Sequence, residues 1–164
     1  MQKTKTDLPD FKLIGITCRT NNQSEMDPST AKIGATLQEY FGTASCSGKI
    51  PNRKKPGTTY CVYTEYESDV TGDYTYFIGE EVTSFDGMPE ELTPLTIPAQ
   101  HYLKFTTSPG EMPGVCIAAW QEIWALSPAD LGSERRYVAD FEVYDERAAD
   151  PTNTTLDIYI GIKN

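Results

Sequence analysis

The sequence has no hydrophobic run long enough to cross a membrane. No stretch of its 164 residues approaches the roughly 18 apolar residues that a spanning helix needs. The first ten residues, MQKTKTDLPD, also lack the apolar segment of a secretion signal. We therefore expect a protein that stays in the cytoplasm and has no membrane partner.

Histidine is nearly absent, and the cysteines are not grouped. His101 is the only histidine, so a Ser-His-Asp triad or a histidine-rich metal site would depend on that single residue. The cysteines form no CxxC pair, and each lies in or beside an apolar segment; they are Cys18, Cys46, Cys61 and Cys116. That placement favours buried free thiols. Glycine-rich phosphate loops are missing too, so we expect no catalytic triad, no metal and no cofactor.

Positive charge is scarce. The chain has 14 Lys and Arg residues against 24 Asp and Glu residues, which gives a formal net charge of -10. The only basic cluster, Arg53-Lys54-Lys55, lies in a loop rich in glycine and proline. A phosphate backbone would be repelled at long range, so direct binding of nucleic acid is not expected. A negative field of this kind favours cations.

Aromatic side chains are what the sequence has in quantity. It contains 10 Tyr, 6 Phe and 2 Trp residues, and 38% of its residues are hydrophobic. This composition is too apolar for a disordered protein. The length is close to that of a common domain, so the sequence predicts a single folded domain over residues 1–164.

The second half of the sequence repeats the first. Three pairs of segments match in order: LQEYF (37–41) with WQEIW (120–124), YTEYE (63–67) with DFEVY (140–144), and YFIG (76–79) with IYIG (158–161). Repeat 1 spans about 10–83 and repeat 2 about 97–164, and the match pairs Glu65 with Glu142. A duplicated unit predicts a cleft at its pseudo-twofold axis, and clefts are where small ligands bind.

Each repeat shows the pattern of a β-α-β-β unit. The predicted elements of repeat 1 are a strand at 11–17, a helix that starts at Asp27-Pro28-Ser29 and ends at Gly42, and a hairpin of 60–67 and 74–82. Those of repeat 2 are a strand at 99–106, a helix that ends near Leu126, and a hairpin of 137–144 and 155–162. The loop at 42–58 is the least constrained segment, and 85–96 is a connector. The predicted fold is α+β, with a mostly antiparallel sheet and two main helices.

Alternation along the strands predicts which way the side chains point. Phe141 and Val143 are expected to pack toward the helices, which leaves Asp140, Glu142 and Tyr144 on the opposite face. The same alternation places Tyr63 and Glu65 with Glu142. If the two halves form a groove on that face, a carboxylate lies among aromatic rings and would pair with an organic cation.

Several of these segments resemble the GyrI-like effector-binding family. They are VYTEYESDVTGDYTYFIGEEV, TIPAQHYLKF, the helix with Trp120 and Trp124, and RRYVADFEVYD followed by DIYIGIKN. The resemblance extends from about Phe11 to Lys163 and implies a duplicated β-α-β-β fold whose pocket glutamate is Glu142. Members occur fused to DNA-binding regulators of the AraC and MerR types and as stand-alone proteins, some on integron cassettes. Nothing ahead of Phe11 can form a helix-turn-helix, which argues against a direct role in transcription.

Three functions are compatible with these features. The first is a stand-alone module that binds a hydrophobic, cationic small molecule, as a sensor or a sequestering protein. The second is a hydrolase of strained electrophilic compounds, in which Glu142 with Tyr144 or Tyr137 assists attack by water. The third is a protein-binding inhibitor like the relatives that inhibit DNA gyrase. The tyrosine-rich surface is also compatible with a homodimer. The candidate ligand-binding residues are Glu142, Trp120, Trp124, Tyr144, Tyr137, Tyr76, Tyr63 and Tyr102.

Overall fold

The computed structural model describes residues 1–42, 46–69 and 71–163. Over these residues the chain forms eight strands and four helices, in the order β1 (Gln2–Leu8), β2 (Phe11–Thr20), α1 (Asn22–Glu25), α2 (Ile33–Phe41), β3 (Thr59–Thr64), β4 (Tyr74–Val82), β5 (Thr93–Ile97), β6 (Gln100–Thr106), α3 (Gly114–Trp124), α4 (Pro128–Leu131), β7 (Ala139–Tyr144) and β8 (Asp157–Ile162). Parts of two predicted loops, residues 43–45 and residue 70, lie outside the described residues. No helix within the described ranges has the length and apolar character needed to span a bilayer.

The eight described strands form one antiparallel sheet, in the order β1-β6-β8-β7-β3-β4-β2-β5. When the sheet is read inward from both edges, β1 corresponds to β5, β6 to β2, β8 to β4, and β7 to β3. The pseudo-twofold axis of the duplication therefore passes between β7 and β3. The α+β class, the antiparallel sheet and the two main helices predicted from the sequence are confirmed.

Two edge strands were not predicted from the sequence. β1 precedes the first unit but pairs with β6 of the second, and β5 precedes the second unit but pairs with β2 of the first. The two halves therefore exchange their first strands. Both edge strands have weak strand patterns: β1 is a polar segment rich in lysine and threonine, and β5 has only five residues, one of which is Pro94. Lysine and proline are common on sheet edges, where they discourage pairing with other chains.

The sheet buries side chains on both of its faces. One face packs against α2 and α3, and includes Ile14, Ile78 and Ile160. The sheet curves toward its other face. This curvature brings the ring of Phe11 on β2 within 5.5 Å of the ring of Phe141, three strands away on β7. Phe141 also stacks on Tyr159 with ring centroids 4.7 Å apart. The sheet therefore separates two apolar cores.

The direction predicted for the β7 side chains is wrong. The alternation itself is present, but Phe141 lies in the core away from the helices, and Glu142 lies on the helix face, where it contacts Trp120 of α3. Tyr63 and Tyr144 also pack on the helix side. The physical reason is the double burial of the sheet: when both faces exclude water, an apolar pattern cannot indicate which face the helices cover.

Two facing glycines bring β2 and β4 unusually close together. Gly15 pairs with Gly79, and a Cβ atom at Gly79 would lie 2.2 Å from the carbonyl oxygen of Ile14. We expect Gly79→Ala to lower the free energy of unfolding by about 1–3 kcal/mol, because the two backbones must move apart. Urea denaturation measures the change. Gly34→Ala is the control, since a methyl group there meets nothing within 4 Å and should stabilise α2 by about 0.5–1 kcal/mol.

Candidate functional site

Glu142 lies at the centre of a cluster of hydrogen-bond donors. Its Oε2 atom accepts from the indole N–H of Trp120 at 2.6 Å and from the hydroxyl of Tyr63 at 2.8 Å. Its Oε1 atom accepts from the hydroxyl of Tyr144 at 2.6 Å. The glutamate is 3% exposed. Three donors from α3, β3 and β7 therefore hold one buried carboxylate in a fixed position.

This carboxylate has no cationic partner among the residues that the structure describes. Over the described residues, no Lys, Arg or His side chain forms an ion pair with Glu142. A buried charge is costly unless it is paired, although hydrogen bonds offset part of that cost. Among the described residues, hydrogen bonds from neutral donors are thus the stabilising contacts of Glu142.

A cleft of about 790 Å³ opens above Glu142. Its walls come from α2, the start of α3, the loop around Pro56 and the loop that follows β7. Most of the lining is apolar or aromatic and includes Leu37, Phe41, Met112 and Ile117. The charged residues on the described lining are all acidic: Glu142, Asp145 and Glu146. The cleft is therefore both apolar and negative.

Burial keeps the phenols and thiols around Glu142 protonated. Desolvation first, and then the charge of Glu142, raises the pKa of Tyr63 and Tyr144 well above the ordinary value. The same two causes raise the pKa of Cys61 and Cys116, which line the cleft. The tyrosines therefore act as hydrogen-bond donors, and the thiols as neutral lining rather than as nucleophiles.

We expect the free energy of unfolding to fall as the pH rises above about 10. In the unfolded chain, Tyr63 and Tyr144 ionise near the ordinary pKa of 10.0, whereas burial raises their pKa in the native state. The native state then binds more protons than the unfolded state, so this contribution is complete below that pH and is lost above it. Each such tyrosine adds a slope of about 1.4 kcal/mol per pH unit.

Urea denaturation at a series of alkaline pH values measures this slope, and phenolate absorbance reports the ionisation. The Tyr144→Phe variant is the control, because it should remove the contribution of one tyrosine to the slope. Phenolate absorbance equivalent to all ten tyrosines before the protein unfolds would contradict the prediction.

The structure brings together most of the candidate residues. Glu142, Tyr63, Tyr76 and Tyr144 line the cleft. Trp120 binds Glu142 through its indole nitrogen. The ring of Trp120 and that of Trp124 line a second cavity, behind the cleft.

Two candidates lie elsewhere. Tyr102 is buried on the opposite face of the sheet, 5.3 Å from the ring of Phe141, so it cannot contact a ligand in the cleft. Tyr137 precedes β7 with a left-handed φ of 55° and packs against the guanidinium of Arg135. Tyr102 and Tyr137 were chosen because they are aromatic residues in or beside a predicted strand. That feature does not indicate which face of the sheet an aromatic ring lies on.

Glu65, the match of Glu142 in the repeat, does not reach the cleft. It follows the end of β3, is exposed and has a left-handed φ of 49°. On the neighbouring strand β3, the residue paired with Glu142 is Cys61. The two halves therefore contribute different groups to the floor of the cleft, and only one of them contributes a carboxylate.

The wall around Pro56 is held by a buried carboxylate that sequence reasoning missed. Glu80 of β4 is 2% exposed, accepts from the backbone N–H of Gly57 at 3.3 Å and lies 3.6 Å from the guanidinium of Arg53. Burial raises the pKa of Glu80, and Arg53 opposes that rise. A glutamate directly after the apolar run that ends at Gly79 was the available signal. The described part of the loop predicted to be least constrained is thus attached to the sheet.

The side chains that commonly bind metals are dispersed in the part of the chain that the structure describes. Within residues 1–42, 46–69 and 71–163, no group of three or more His, Cys, Asp or Glu side chains is arranged to hold a metal ion. The donors around Glu142 are hydroxyl and indole groups, which stabilise a carboxylate rather than a metal.

An antiparallel sheet with two helices on one face and an aromatic cleft between them defines an effector-binding domain with the GyrI-like fold. The chain belongs to the family of integron-associated effector binding proteins, and the sequence model of that family matches residues 6–162. The resemblance found in the sequence is thereby confirmed, as is the relationship to the ligand-binding domains of transcription regulators.

Individual relatives show the same relationship. The chain is 30% identical over 160 residues to YobU of Bacillus subtilis, described as a candidate transcriptional regulator, and the match covers 98% of this chain and 96% of YobU. An integron cassette protein from Vibrio cholerae is 29% identical, with a TM-score of 0.76 and coverage of 98% and 95%. The protein SAV2435, solved with tetraphenylphosphonium, is 14% identical, with a TM-score of 0.77 and coverage of 100% and 95%, and shares the fold.

Proposed function

We propose that this protein binds a hydrophobic organic cation in the cleft above Glu142 and acts as an effector-binding module. The observation that carries the proposal is the buried carboxylate with three neutral donors and no cationic partner among the described residues. An organic cation would supply the missing charge, and its apolar groups would contact the lining of the cleft.

The surroundings of Glu142 support a cation over an anion or a neutral compound. The rings of Tyr63 and Tyr76 line the cleft beside the carboxylate, 5.4 Å apart in an edge-to-face arrangement, and aromatic side chains attract a positive charge. Glu146 adds negative charge at the mouth of the cleft, whereas the charge of Asp145 is offset by its ion pair with Arg147 at 2.9 Å, so the field there favours cations over anions. Tetraphenylphosphonium, which is bound in the structure of SAV2435, is a cation of the kind that this cleft would accept.

Two ions of the same shape and opposite charge provide the test. Isothermal titration calorimetry should detect tetraphenylphosphonium and should show tetraphenylborate binding at least about tenfold more weakly, because only the cation can pair with Glu142. Equal affinity for the two ions would mean that the cleft selects for apolar surface alone. Binding of neither ion would contradict the proposal.

A further inference from the structure

A second cavity adjoins the cleft and shares part of its lining with it. This rear chamber has a volume of about 410 Å³ and lies between α1, α3 and the end of β4 nearest Tyr74. Four side chains line both spaces: Ile33, Tyr63, Cys116 and Ile117. A group in the rear chamber would therefore lie beside a group bound above Glu142.

The rear chamber is lined by a connected set of rings. From Tyr63, one branch runs to Trp120 at 5.1 Å between ring centroids, and Trp120 in turn contacts Trp124 at 6.2 Å. The other branch runs from Tyr63 to Tyr74 at 5.5 Å and on to Tyr66 at 6.0 Å. Trp120 belongs to both sites, because its N–H donates to Glu142 while its ring lines the rear chamber.

The charged residues on this lining are already engaged. Arg135 pairs with the buried Asp140 at 2.6 Å. Glu25 accepts from the backbone N–H groups of Lys32 and Ile33 at the start of α2, at 2.8 and 3.1 Å. Apart from Asn22, Gln121 and the thiol of Cys116, the remaining lining is aromatic and aliphatic, so it suits an uncharged aromatic group.

The mouth of the rear chamber carries apolar side chains that solvent reaches. Met26 is 85% exposed, Ile117 53% and Trp124 50%, and all three line the chamber. Covering such surface with an apolar group is favourable in proportion to the area removed from water.

We propose that the rear chamber receives an aromatic group of the same ligand whose cation pairs with Glu142. The protein then selects elongated cations in which an aromatic end is separated from the positive charge by a spacer. This inference rests on the proposed function, since it takes the cation at Glu142 as the fixed end of the ligand.

A series of phenylalkyl-trimethylammonium ions, lengthened by one methylene at a time from benzyltrimethylammonium, tests the inference. Calorimetry should show a stepwise gain of about tenfold in affinity at the spacer length that lets the phenyl ring enter the chamber, the scale of one buried aromatic contact. In Trp124→Ala, the ratio of long-probe to short-probe affinity should fall by a similar factor, and Trp124→Phe should restore much of it.

Phe41→Ala is the matched control. Phe41 is also exposed, but it lines only the cleft and not the rear chamber. It should weaken long and short probes alike and leave their ratio unchanged. The inference is overturned if affinity rises smoothly with length, or if Trp124→Ala leaves the ratio unchanged while the short probe still depends on Glu142. A short probe that binds Glu142→Gln as well as the parent protein would instead refute the proposed function.

Discussion

Replacing Glu142 by Gln should weaken the binding of tetraphenylphosphonium by about tenfold to a hundredfold. The carboxylate is the only charged group on the described floor of the cleft, and a charge-assisted contact of this kind is worth about 1.5–3 kcal/mol. Tetraphenylborate should bind the variant as well as or better than it binds the parent protein, because a buried negative charge has been removed. Calorimetry with both ions measures the two changes.

The fold of this variant should survive, since glutamine can satisfy the same neighbours. Its carbonyl oxygen can accept from Trp120 and Tyr63, and the hydroxyl of Tyr144 can rotate to accept from the new amide group. Glu146→Gln is the matched control, because Glu146 lines the same cleft but is exposed to solvent. If both variants weaken the cation equally, the general field of the protein accounts for its selectivity, and Glu142 has no special role.

The elements that follow from the sequence are those with a strong local pattern. The aromatic alternation of β4 and the apolar stripe of α2 lie where the predicted strand and helix were placed. The start of α2 was misplaced. Asp27-Pro28-Ser29 resembles a helix start, but α2 begins at Ile33, where the first backbone donors bind the side chain of Glu25. A cap supplied from eight residues upstream has no signature in a local pattern.

The candidate site could be predicted only in part, because a local sequence pattern indicates burial but not contacts with distant residues. Glu142 is a charged residue between Phe141 and Val143, so its burial in a central strand could be inferred from neighbours in sequence. Its donors could not, because Tyr63 is 79 residues away and Trp120 is 22 residues away. Their meeting depends on where the axis between β3 and β7 falls and on which sheet face α3 covers. The boundaries of the two repeats, about 10–83 and 97–164, stay a prediction.

The largest loss of stability is expected at the buried ion pair beside the rear chamber. Asp140 is fully buried and accepts from Arg135 at 2.6 Å, from the hydroxyl of Tyr66 at 2.6 Å and from the backbone N–H of Gly161 at 2.8 Å. The Arg135 side chain is itself only 10% exposed. Arg135→Met should lower the free energy of unfolding by about 3–5 kcal/mol, because it leaves a carboxylate buried without its compensating charge. Urea denaturation measures the loss.

Two further variants separate the buried charge from a general effect of removing a cation. Lys163→Met breaks the exposed pair with Glu134, whose side chains are 59% and 67% exposed, and should cost at most about 1 kcal/mol. Adding Asp140→Asn to Arg135→Met should recover part of the stability, since the neutral amide oxygen can still accept from Gly161. If the double variant is no more stable than Arg135→Met alone, the loss comes from the packing of the arginine guanidinium over the ring of Tyr137 rather than from the unpaired charge.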